Sequence, residues 1–213
     1  TADLYNIKIK DRIVLSGRFN ADNYPDLAAR LSLLGVGDAQ FFVNSIDTRT
    51  RGLDLTASHK GELFSNRLTT FLALNLSKTE VTKVKTPASL SGFEDVLLSE
   101  RERLFIEQGG PRSKATLGFD YLTGKLESNL RVIHFGPQTL GTFSVTAEGV
   151  PNARYKAKTS ADLSFTYSIT KNTKLTFGGN NIFNVKPTTQ NADETDNGFK
   201  YDSVQFGLNG ASY

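Results

Sequence analysis

The stretch Lys156–Ile169, KAKTSADLSFTYSI, decides the fold class. Ala157, Thr159, Ala161, Leu163, Phe165, Tyr167 and Ile169 fall on one parity, and Lys156, Lys158, Ser160, Asp162, Ser164, Thr166 and Ser168 on the other. Side chains of a strand point alternately to two faces, so an unbroken period of two over this length is a β-strand with one apolar and one polar face, and not a helix. After Thr170, Lys171 and Asn172 the alternation resumes, with Leu175 and Phe177 against Lys174, Thr176 and Gly178. The pair predicts a hairpin closed by a tight turn.

The same layout recurs upstream. Ala115, Leu117, Phe119 and Tyr121 oppose Lys114, Thr116, Gly118 and Asp120; a turn at Leu122 to Gly124 follows, and then Leu126, Leu130 and Val132 oppose Glu127, Asn129 and Arg131. Leu53, Leu55 and Ala57 alternate with Asp54, Thr56 and Ser58, turn around Glu62 to Arg67, and return through Leu68, Thr70, Leu72, Leu74 and Leu76. At the start, Tyr5, Ile7 and Ile9 alternate with Asn6, Lys8 and Lys10; a turn at Asp11 and Arg12 and a return through Ile13, Leu15, Gly17 and Phe19 are predicted. The reading gives about eight strands.

Asn20 to Ala39, Val84 to Arg112, Gly136 to Arg154 and Asn184 to Ser203 separate or follow these hairpins. Each runs to roughly twenty to thirty residues, against about four to six for connections in compact domains. Pro25 to Gly35 and Phe93 to Phe105 have the mixed pattern of short helices. Short turns at one end and long loops at the other mark an antiparallel, up-and-down transmembrane β-barrel, whose periplasmic turns are short and whose extracellular loops are large. Tyr121 and Tyr167, on apolar faces just before short turns, fit an aromatic girdle. A soluble β-sandwich would bury the same apolar parity in a core, and alternation alone does not separate the two.

No apolar run approaches the length of a spanning helix, and Thr1 to Lys10 lacks the layout of a signal peptide. Cysteine is absent, which removes disulfides, thiolate zinc sites and thiol nucleophiles. The net charge is +3, with 25 Lys and Arg dispersed among 22 Asp and Glu, so no clustered basic face for nucleic acid is expected. Of the two histidines, His59 falls near the inner end of a strand and His134 near the outer end of another. No metal cluster, cofactor site or catalytic constellation is expected. Gly109-Gly110-Pro111 and Gly178-Gly179 lack the spacing of a phosphate-binding loop and read as turn and strand-end glycines. Glu94-Asp95 and Glu100-Glu102 read as a solvated charged face.

The chain resembles the C-terminal part of the barrel of a TonB-dependent outer-membrane receptor. The tracts that carry the resemblance are YNIKIKDRIVLSGRF at Tyr5 to Phe19, FFVNSIDTRTRGLDL at Phe41 to Leu55, TSADLSFTYSITKNTKLTFGGNNIFNVKP at Thr159 to Pro187 and QFGLNG at Gln205 to Gly210. The run Gly179 to Asn184 is typical of the last extracellular approach in that family.

The resemblance implies a 22-stranded barrel around an N-terminal plug and import of a scarce nutrient with energy passed on by the TonB complex. Residues 1–213 would then be a partial C-terminal barrel wall of about eight strands and a stub at Ala211 to Tyr213. The plug, the TonB-contacting segment and the signal peptide would lie outside it, and the closing strand would be truncated. The expected ligand is an extracellular small molecule such as a ferric siderophore or other iron chelate, and the expected surroundings are lipid and lipopolysaccharide. At the mouth, the candidate ligand-binding residues are His134, Arg101, Arg103 and Arg112, and Lys114 and Arg154 add positive charge that would draw an anionic chelate. A passive porin-like channel and a soluble lectin-type β-sandwich are the competing readings. In hydrocarbon two raw sheet edges would cost roughly tens of kcal/mol, so the wall is expected to complete a larger barrel, to pair edge to edge with copies of itself, or to curl up.

Overall fold

In the computed structural model of the chain the period-two segments form one antiparallel sheet. Residues 1–20, 25, 32–33, 35–88, 91–141, 152–190, 200–201, 207 and 209–213 are described. In chain order the elements are β1 (Ala2–Leu15), β2 (Phe19–Asn20), β3 (Asp38–Ala39), β4 (Phe42–Leu63), β5 (Asn66–Val84), α1 (Glu94–Leu97), α2 (Glu100–Gln108), β6 (Ser113–Thr123), β7 (Leu126–Phe135), β8 (Gln138–Leu140), β9 (Ala153–Tyr155), β10 (Lys158–Ser168) and β11 (Lys174–Gly179). The sheet runs β1-β4-β5-β6-β7-β10-β11, each strand antiparallel to the one before it, while β2 with β3 and β8 with β9 make two small ribbons in the long connections. The helix expected over Phe93 to Phe105 forms as α1 and α2. The one expected over Pro25 to Gly35 falls largely outside the described residues.

At one end the strands reverse tightly. Phe64 and Ser65 join β4 to β5 with φ of 51° and 59°, a twist that matches the flanking strands. Gly124, at φ 56°, and Lys125 join β6 to β7, one residue beyond the predicted turn. Between β10 and β11, Thr170 N–H donates to Thr173 O at 3.2 Å.

The first predicted hairpin is not formed. Ile9 pairs with Thr48 and Ile13 with Asn44, so the residues on both sides of Asp11 lie against the same neighbour, β4, and Ala2–Leu15 is one strand. Asp11, at φ 55°, sits in a β-bulge between those pairs. A bulge and a tight turn both use a residue at positive φ, which is why Asp11-Arg12 reads as a reversal. The sheet therefore has seven strands, with one strand in place of the first two. Lys85 Nζ holds the bulge by bonding Asp11 Oδ1 and Asp47 Oδ1, each at 2.6 Å, and Asp11 N–H donates to Asp47 Oδ1 at 3.0 Å.

The register assigns the faces. Leu4, Leu53 and Leu76 share one row; Ala57, Leu72, Leu117, Val132 and Ala161 share another; Leu163 pairs with Leu130, and Phe165 with Phe177. All lie on one face, and nothing packs over most of it: Leu4 is 84% exposed, Phe177 75% and Leu175 63%. A sandwich would bury these side chains in a second layer, and no such layer exists among the described residues. The buried hydrophobic cluster lies instead at the long-loop end, where Val14, Ile46 and Leu98 pack with Val43, Val81, Val84 and Ile106. β6, β7 and β10 have 11, 10 and 11 residues, the length an inclined strand needs to cross a hydrocarbon layer. β4 and β5, at 22 and 19, continue well past that length.

Candidate functional site

The opposite face is mainly polar from β4 to β11; on β1 it carries Tyr5, Ile7 and Ile9, level with Gly52, Thr50 and Thr48, so the apolar parity of that strand lies on the polar side of the sheet. Asp54, Asn75 and Lys114 share a row; Asp120 pairs with Asn129; Arg131 with Asp162; Thr166 with Thr176. Neighbouring strands are laced together there by hydrogen bonds: Asn75 Nδ2 donates to Asp54 Oδ1 at 2.5 Å, Asn129 Nδ2 to Asp120 Oδ1, and the Thr166 and Thr176 hydroxyls lie 2.9 Å apart. Near the short turns, Lys60, Arg67, Thr69, Asp120, Leu122 and Glu127 line a cavity of about 320 Å³. The sequence reading did not single these residues out. Their common parity, counted back from the turns, is the signal that would have grouped them. Such a surface suits contact with water, ions and polar ligands, as the interior wall of a conduit requires.

At the long-loop end the connection between β5 and β6 folds down onto this polar side. Thr48 and Val81, paired across β4 and β5, have the parity of Asp54 and Asn75, and Val81 belongs to the cluster that holds Leu98 and Ile106. Gly17 N–H donates to Val96 O at 2.8 Å, and Phe19 stacks on Phe41 at 5.1 Å with Phe93 edge-on at 6.2 Å. From α2, Glu107 Oε1 accepts Val81 N–H at 2.8 Å, and Glu100 Oε1 accepts Asn152 Nδ2 at 3.2 Å. The helical insert is thus braced between the wall and the next long loop.

The predicted mouth residues do not converge. Arg101 and Arg103 lie on α2, with Arg101 Nη1 3.2 Å from Glu102 Oε1 and Arg103 Nη1 3.9 Å from Glu107 Oε1. Arg112 borders β5, where its carbonyl accepts Ser77 N–H at 2.9 Å, and it lines a separate cavity with Arg51 and Lys78. His134 pairs with Ala115 and Thr159 on the apolar face, its Nδ1 2.9 Å from Thr159 Oγ1. Lys114 lies over the Phe135 ring, 5.1 Å from its centre, and Arg154 is exposed on the ribbon strand β9, next to the buried Tyr155. Among the described residues no group of three or more His, Asp and Glu could hold a metal ion.

Two charge clusters at this end have shifted acidity. Lys85 and the Asp11 N–H hold the Asp47 carboxyl below the ordinary carboxylate range, and Asp11 and Asp47 hold the Lys85 ammonium above the ordinary lysine range. Glu80 is lowered by its bond to Lys78, with smaller help from Arg51 and Arg49. All three lie where β1, β4 and β5 pass beyond β6.

The motif Gly179 to Asn184 folds against β10. Asn181 (φ 48°) donates its backbone N–H to Asp162 Oδ1 at 2.8 Å; its side chain donates to Val185 O and accepts from Val185 N–H, at 2.8 and 2.9 Å. Asn184 (φ 51°) accepts Ala211 N–H on Oδ1 at 3.2 Å, and Ser212 pairs with Asn180 beyond the end of β11. Asparagine tolerates positive φ and supplies both a donor and an acceptor, which explains its repetition here.

Residues 1–182 match the family described as TonB dependent receptor-like, beta-barrel. No match is found among curated protein sequences. Two solved structures share the fold: one titled copper transporter OprC, 19% identical with a TM-score of 0.51, and the ferripyoverdine receptor of the outer membrane of Pseudomonas aeruginosa bound to ferripyoverdine, 14% identical with a TM-score of 0.53. The alignments cover 86% and 87% of this chain but 22% and 21% of those proteins, so the chain spans about a fifth of their length.

Proposed function

Because this chain belongs to the TonB-dependent receptor-like β-barrel family, we propose that it forms part of the wall of an outer-membrane receptor that takes up a scarce nutrient with energy from the TonB complex. The observation that carries the reading is the one-layer sheet, with leucine, phenylalanine and tyrosine uncovered on one side and a hydrogen-bonded polar surface on the other. A membrane barrel needs lipid outside and water inside, and this wall offers one face to each. A plug domain and a TonB-contacting segment would be supplied by other parts of the receptor.

The ligand proposed is a ferric siderophore or a related metal chelate. The structural relatives titled as a ferripyoverdine receptor and a copper transporter support a metal-bearing cargo. Arg101 and Arg103 on the braced insert, each beside a carboxylate of the same helix, and Arg154 on the neighbouring ribbon are the cations proposed to meet an anionic chelate. His134, on the apolar face, is assigned no ligand contact.

The test is growth and radiolabelled ferric-chelate uptake in a strain lacking the gene, with and without a functional TonB. The reading expects uptake that the full-length gene restores and that vanishes without TonB. Uptake that persists without TonB would make the barrel a passive channel and overturn it.

A further inference from the structure

The apolar face ends in a basic margin. Beyond the row Leu4–Leu53–Leu76 the next outward-facing rows on β1, β4 and β5 are Asn6–Arg51–Lys78 and then Lys8–Arg49–Glu80. Parity places them on the same face as the leucines, farther from the short turns. From Leu63 at the turn to Leu53, β4 has already run the length that crosses a hydrocarbon layer, so these charges stand at its rim. Arg112 joins them from the β5–β6 connection: Arg51, Lys78 and Arg112 line an open cavity of about 390 Å³ with Leu53 and Leu76 on its apolar side.

The margin carries five cations against one carboxylate. Glu80 Oε1 bonds Lys78 Nζ at 2.5 Å, and Arg49 Nε donates to Asn6 Oδ1 at 2.8 Å. Lys8, Arg51 and Arg112 have no ion pair among the described residues. Guanidinium groups match phosphate oxygens with paired hydrogen bonds. A soluble anion would use these cations alone. A ligand that also has acyl chains would use the leucines directly below them, and only a lipid of the surrounding leaflet has both parts in that order.

We propose that Lys8, Arg49, Arg51, Lys78 and Arg112 form a lateral binding site for the phosphorylated headgroup of an outer-leaflet glycolipid, whose acyl chains lie along Leu4, Leu53 and Leu76. The site rests on the reading that the apolar face meets lipid and the long-loop end faces outward. It lies on the outside of the wall, on the face opposite the polar side onto which the β5–β6 connection folds, so it binds a neighbour in the membrane and not the cargo.

The experiment uses the full-length receptor purified from outer membranes, with bisphosphorylated and dephosphorylated lipid A as probes and native mass spectrometry as the readout. The unsubstituted protein is expected to retain the phosphorylated lipid, and the triple variant R51Q/K78Q/R112Q to bind it about a hundredfold more weakly. Dephosphorylated lipid A should bind the unsubstituted protein with a similar loss, and inorganic phosphate at equal concentration should not compete. Equal binding by the triple variant, equal binding of the two lipids, or displacement by inorganic phosphate would each overturn the site. If the triple variant does not fold, the comparison of the two lipids on the unsubstituted protein decides. A receptor that keeps TonB-dependent uptake but does not distinguish the lipids loses this site alone; one that distinguishes them without TonB-dependent uptake loses the transport reading alone.

Discussion

Tyr5 lies across Gly52, its register partner on β4, so that a methyl group built on Gly52 would collide with the Tyr5 hydroxyl and come within 2.6 Å of Leu76 O. The aromatic ring covers backbone that glycine leaves bare, and the missing side chain lets β1, β4 and β5 stay in register. Gly52→Val in the full-length protein is expected to lower stability by about 1–3 kcal/mol by overpacking this contact. Tyr5→Phe keeps the cover and should change little. Urea unfolding followed by heat-modifiable gel mobility measures both, and equal stability of Gly52→Val and the parent would refute the contact.

Lys85 ties the bulge of β1 to β4, and its removal should loosen that corner. Lys85→Met is expected to speed amide exchange over residues 9–15 and 42–47 while leaving β6 and β7 unchanged. The pH dependence follows from the shifts. Asp47, lowered in the folded state, contributes stability above its unfolded pKa that is lost as pH falls through the folded value; Lys85, raised, contributes below its unfolded pKa and loses this as pH rises through the folded value. Protection of these amides, with the intrinsic pH dependence of exchange divided out, should therefore be greatest between the carboxylate and lysine ranges, and a protection profile flat across acid pH would contradict the clamp.

Leu163 and Ser164 are successive residues on opposite faces near the middle of β10. Spin labels at the two sites in the intact receptor should differ, with a lipid-soluble quencher reaching position 163 and a water-soluble one position 164. Leu163→Arg should destabilise the barrel by about 2–4 kcal/mol, and Ser164→Arg much less. The reverse order would invert the wall.

Asn181 holds both hydrogen-bonding groups of Val185 at positive φ. Asn181→Ala should cost about 1–3 kcal/mol through the unpaired backbone groups, and Asn181→Gly less, because glycine relieves the backbone strain. Differential scanning calorimetry of the two variants checks the order.

Charge reversal at Arg101 and Arg103 tests the mouth. R101E/R103E should slow capture of an anionic ferric chelate roughly tenfold at low salt, and the difference should shrink toward physiological ionic strength. Unchanged capture kinetics at low salt would remove these residues from the site.

The alternation at Lys158 to Ser168, Ser113 to Thr123 and Leu126 to Phe135 was legible residue by residue, because period two is a property of the backbone and needs no partner to appear. Asp11-Arg12 was misread for the converse reason. A residue at positive φ bends the chain locally in the same way whether the next segment reverses or continues, and only the pairing of Ile13 with Asn44 distinguishes the two. The outer halves of β4 and β5 also escaped notice, since beyond Leu53 and Leu76 the outward parity turns from leucine to arginine and lysine and the alternation loses its contrast.

The candidate site was less legible than the wall. Arg101, Arg103, Arg112 and His134 were grouped by their nearness to long loops, but register sends His134 to the apolar face and Arg112 to the cavity with Arg51 and Lys78. The residues that do meet, Lys60 with Asp120 and Glu127, or Lys8 with Arg49 and Arg51, are far apart in the chain or unremarkable within it.

By itself the sequence determined that this chain is an antiparallel wall with one oily and one wet side, since the two-residue repeat of a strand writes each face directly into the order of amino acids. Which residues of different strands stand level was decided only in the folded sheet, because a shift of one position along a strand carries every side chain to the other face. The basic margin, the charged cavity by the turns and the Lys85 clamp all depend on that alignment.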